Sequence, residues 1–130
     1  MGSASELNGQ ARDSETRMID IPDKTEALMA RLEAALPVRA RPTPEALKTL
    51  RQHSPELRFP RHCDITKIYY AGDEGGILCT LDFGLHDSKE VHIVSITHLR
   101  FSGIAPLSRA VVAYQRHRVK KLKKLHGWPF

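Results

Sequence analysis

Cysteine is scarce in this sequence: Cys63 and Cys79 are the two thiols in 130 residues. Two thiols cannot build a disulfide framework or a four-thiolate zinc site. No apolar run approaches the roughly 20 residues that a membrane helix needs. Aromatic residues make up 6% of the chain, with a single Trp, which argues against a helix lying in a membrane surface. The opening MGSASELNGQARDSETR has no apolar core of the kind a secretory signal requires, so a cytoplasmic protein is expected. No internal repeat is visible. HExxH, CxxC, P-loop and dinucleotide-binding spacings are all missing, and neither a metal nor another cofactor is expected.

What is present fits a modest globular unit. The chain is 41% hydrophobic and 27% charged, with a formal net charge of +5. Residues 1–17 are polar and read as a disordered tail, because such a composition buries too little surface to offset chain entropy. Residues 18–130 read as a single α+β domain, a length sufficient for a core without staples.

A first helix is expected from Asp23, where Asp23 and Glu26 have capping-box spacing and Leu28, Leu32, Ala35 and Leu36 form an apolar stripe. Residues 37–44 (PVRARPTP) read as a basic connector stiffened by proline. Thr43 then caps a second helix, with Pro44 in its first position, and Pro55 ends it. From residue 65 the period becomes two. Strands are expected at 65–70, 77–83 and 91–101, joined by turns at 71–76 and 84–89. The faces of the first and third strands are ambiguous. The last helix runs from about Ala105 to Leu125, with Leu107, Val111, Tyr114, Leu122 and Leu125 on one face. The expected architecture is therefore a three-stranded antiparallel β-meander covered by a long C-terminal helix, in the order α-α-β-β-β-α.

The charge is local. Residues 105–130 carry seven basic side chains and no acidic one, and residues 38–62 carry six basic and two acidic. Arg109, Arg116, Lys120, Lys123 and Lys124 fall opposite the apolar stripe of the last helix. They suit a row of phosphates, each cation releasing counterions from nucleic acid. Arg39, Arg41, Arg58 and Arg61 would extend the patch if the fold brings them near. The plain alternative is a solvated face whose cations complement the helix dipole. Arg118 falls at the centre of the apolar stripe, which requires it to snorkel or to pair with a carboxylate such as Asp82.

Other leads are weaker. Gly72-Asp73-Glu74-Gly75-Gly76 permits close backbone approach, by a ligand or simply within a hairpin turn. His92 and His98 would share a strand face about 20 Å apart, too far for one metal. Cys79 reads as a buried small hydrophobe, and Cys63 as an exposed thiol at a strand start. Asp73, Glu74 and His98 are the best residues for a small enzyme, a less favoured reading.

The order of one helix, three antiparallel strands and a C-terminal helix resembles that of double-stranded-RNA-binding domains. That family's basic cluster opens the last helix, where this chain has Ala105-Pro106-Leu107-Ser108-Arg109, and the helix at 43–53 is extra. The resemblance therefore transfers no residue and no activity. The leading expectation is non-enzymatic binding of nucleic acid, RNA before DNA, through the basic helix face. The alternative is a protein–protein adaptor or regulatory subunit that uses a sheet edge or face, including to pair with itself.

Overall fold

A computed structural model describes residues 19–85, 89–101 and 105–126. The expected tail at 1–17 and the centre of the turn at 84–89 lie outside them. Among the described residues the fold is α+β, with four helices and a curled five-stranded antiparallel sheet.

Helix α1 (Pro22–Ala35) is capped two residues earlier than the capping-box spacing predicts. Pro22 takes the first turn, the cap position is Ile21 without a side-chain cap, and Asp23 lies inside the first turn as a dipole partner. Its buried residues include Leu28 and Leu32, each contributing about 1.5–3 kcal/mol of transfer free energy.

The expected connector contains a strand, β1 (Val38–Pro42), in which Val38, Ala40 and Pro42 are buried and Arg39 and Arg41 are exposed. Helix α2 (Pro44–His53) follows as expected, with the Thr43 hydroxyl accepting from the Ala46 amide at 3.2 Å. Strand β2 (Cys63–Tyr70) pairs with β3 (Ile77–Asp82) through a single helical turn, α3 (Gly72–Gly75). A register shift between Ile65 and Lys67 changes the phase of β2, so that Ile65 and Ile68 are both buried. This bulge is why strict alternation left the face of β2 undecided.

The long third strand of the expected meander is broken. It becomes β4 (His92–Ser95), a 3-10 turn (Ile96–His98) and β5 (Leu99–Phe101). The Ser95 hydroxyl accepts from the Thr97 amide at 3.3 Å, which draws the chain out of extended geometry. β4 pairs with β3 and β5 pairs with β1, giving the order β4-β3-β2-β1-β5. One segment thus supplies both edges of the sheet. The order α-α-β-β-β-α, and the likeness to double-stranded-RNA-binding domains that rests on it, do not describe this sheet.

Helix α4 (Ala105–His126) packs against α1 and the 3-10 turn. Leu107, Val111 and Tyr114 join Leu28, Leu32, Ile65, Ile77, Cys79, Ile96 and Leu99 in the core. Gln115 is buried and donates from Nε2 to the carbonyls of Ile96 and Leu99, both at 2.7 Å. One amide group therefore ties α4 to the turn that divides the two edge strands.

Candidate nucleic-acid interface

The register that buries Leu107, Val111 and Tyr114 sends the opposite side of α4 to solvent. Arg109, Arg116, Lys120 and Lys124 are exposed there, and Lys123 is half-buried. Between α4 and the 3-10 turn with β5 runs an open groove of about 550 Å³. Arg116, Lys120 and Lys123 line it from the helix, and Thr97 and Arg100 from the other wall. Val112, Val119 and Gln115 complete it, and among the described residues no carboxylate lines it.

The basic residues of the expected patch divide into groups. Arg116, Lys120 and Lys123 come together in the groove, while Arg109 and Lys124 stand on the same side of the helix without lining it. Arg41 lies directly across from Arg100 in the pairing of β1 with β5. Arg39 is instead opposite Asp64, which is opposite Asp82, so its charge faces carboxylates. Arg61 shares a separate depression of about 280 Å³ with Arg39 and both carboxylates. Arg58 lines another hollow with Arg51 and Phe59 after α2. Sequence reasoning missed Arg100, because the strand carrying it appeared continuous and its pairing with β1 was not visible.

A second polar cluster lies on the buried side of α4. Arg118 and Asp20 form an ion pair at 3.0 Å with both side chains almost wholly enclosed. The counter-ion is thus Asp20, not Asp82. Arg118 also donates to the Asp73 carbonyl at 2.6 Å and to the Glu74 carbonyl, both left open by the one-turn helix. Tyr70 and Tyr114 donate their hydroxyls to Asp20 Oδ2 at 2.9 and 2.8 Å. The Asp73 carboxylate accepts from the Ile19 and Asp20 amides, and His117 Nε2 lies 2.9 Å from the Ile19 carbonyl. Burial, and then the bond to Asp20, push the Tyr70 phenol up to about 12. Tyr114 is pushed up for the same reasons. Both phenols stay protonated as donors.

The glycine turn serves this cluster. Gly76 has φ +69°, and a Cβ there would meet Arg118 Nε at 2.6 Å. The close backbone approach that the glycines allow is thus used by the chain's own Arg118. Asp73 is committed to backbone amides, and the cleft it lines with Pro22, Met29 and Tyr70 does not include His98.

The thiols and histidines are placed by packing. Cys63 is buried, not exposed, and its Sγ lies 3.7 Å from the Ala40 carbonyl. Burial pushes both Cys63 and Cys79 up to about 12, which leaves little thiolate at neutral pH. His92 packs edge-on to Phe59 and Phe83, while His98 is exposed at the end of the 3-10 turn, so the two do not share a strand. Among the described residues, no three His, Cys, Asp or Glu side chains gather as a metal site, and no helix is long and apolar enough to cross a membrane. Comparison with protein-family models, curated proteins and solved structures finds no match.

Proposed function

We propose that this chain is a non-enzymatic nucleic-acid-binding domain of the cytoplasm, with RNA as the preferred partner. One observation carries the reading: Arg100, Arg116, Lys120 and Lys123 line one groove, with no carboxylate among the described residues of its walls. Such a surface holds phosphates by charge and offers little sequence choice. Its affinity falls steeply with salt, by about 0.7 to 0.9 in log K per log salt for each phosphate neutralised. The test is fluorescence anisotropy with labelled RNA across a salt series, repeated on Arg116→Glu/Lys120→Glu/Lys123→Glu. Loss of binding and a shallower salt slope support the proposal, and unchanged affinity in the triple variant overturns it.

The runner-up is a protein–protein adaptor that pairs with itself. It draws on the open edge strand β4 and on Val91 and Ile93, both exposed there. That reading requires a molecular mass by light scattering that rises with concentration and changes little with salt.

A further inference from the structure

Resting on that reading, we infer that the groove takes a single strand of nucleic acid in preference to a duplex, and that Arg41 and Arg100 carry the strand onto the outer face of the sheet. The first ground is the placement of the cations. Duplexes are read by elements that protrude into their grooves. Here Arg100 stands on one wall of a recess and Arg116, Lys120 and Lys123 on the other. A single backbone lying between the walls meets both.

The second ground is the apolar part of the lining. Val112 and Val119 line the recess and are 39% and 37% exposed. Apolar surface among cations suits the faces of unstacked bases. A single strand offers those faces, whereas a duplex hides them within its stack.

The third ground is Arg41. It is directly opposite Arg100 in antiparallel register, and both are exposed, so the two side chains leave the same face of the sheet. Like charges so placed are destabilising. Among the described residues neither is paired with a carboxylate. A phosphate between them would relieve the repulsion and would lie just outside the groove that Arg100 lines. RNA exposes its bases mainly in loops and single-stranded segments, which agrees with the preferred partner.

The experiment compares a short labelled oligo-uridine strand with a blunt RNA duplex of equal total charge, by anisotropy at one moderate salt concentration. The expected result is single-strand binding tighter by about tenfold, the scale of one base contact. Arg41→Glu should weaken single-strand binding several-fold and leave thermal stability unchanged or raised, since it removes a like-charge pair. Arg41→Gln keeps the test open if the reversal fails to fold. Equal or tighter duplex binding, or single-strand binding indifferent to Arg41, overturns this inference and leaves the proposed function standing. Binding of neither probe overturns both.

Discussion

Arg118 and Asp20 are 98 positions apart in the chain and meet as a buried ion pair at 3.0 Å. Each is held by further bonds: two tyrosine hydroxyls on the carboxylate, and two backbone carbonyls on the guanidinium. A pair so enclosed contributes little net stability compared with apolar residues of the same shape, but removing one partner is costly. Asp20→Ala should therefore lower unfolding free energy by about 3–5 kcal/mol in urea titrations. The double variant Asp20→Ala/Arg118→Met should lose less than the sum of the two single variants. Additive losses would show that the two side chains act independently.

The glycine turn offers a contrast within five residues. Gly72 and Gly76 both have positive φ, but a Cβ at Gly72 meets nothing within 4 Å, whereas one at Gly76 collides with Arg118 and Tyr114. Gly72→Ala should cost only its backbone strain, about 1–2 kcal/mol. Gly76→Ala should cost clearly more, because the guanidinium must also move. Equal losses in thermal or urea unfolding would mean that the cradle yields without resistance.

The tyrosines set an alkaline limit. The Tyr70 phenol rises from its ordinary value of 10.0 to about 12, first by burial and then by its bond to Asp20. A group whose pKa is raised by folding stabilises the native state fully below its unfolded value and loses that contribution as pH rises through the folded value. Stability should therefore be insensitive to these phenols at neutral pH and decline between about 10 and about 12. Tyr70→Phe should flatten part of that decline in urea titrations at stepped pH. An identical slope in the variant would remove Tyr70 from the explanation.

Both thiols should resist alkylation in the native protein at neutral pH. Cys63 and Cys79 are each buried, and burial raises each to about 12. Labelling counted by mass spectrometry should be slow without denaturant and complete with it. Rapid native labelling of either residue would show that its surroundings open readily.

Much of the helical framework was legible from the sequence. The Thr43 cap with Pro44 behind it placed α2, and the apolar spacing of Leu107, Val111 and Tyr114 placed the buried face of α4, although Leu125 of the same expected stripe is exposed. The apolar face of β3 was equally plain. The sheet was harder to read, because its order is set by contacts distant in sequence. β1 alternates as a strand should, but prolines and arginines disguised it. The break at Ser95 depends on one hydroxyl bonded to the Thr97 amide within a run of β-formers. The cations of α4 were visible as a periodic face, whereas Arg100 joined them only through the strand order. Arg118 announced a need for a counter-charge, and nothing local pointed to Asp20.

The buried cluster also has an order in time. Its three charged participants sit near residues 20, 73 and 118, so the cluster cannot assemble from any partial stretch of the chain. During synthesis the early segments emerge first, and Asp20 waits without its counter-ion until Arg118 has left the ribosome. Helix α4 therefore brings the guest for the glycine cradle and the anchor for the first helix together. The cluster therefore closes only when α4 is in place against both earlier segments.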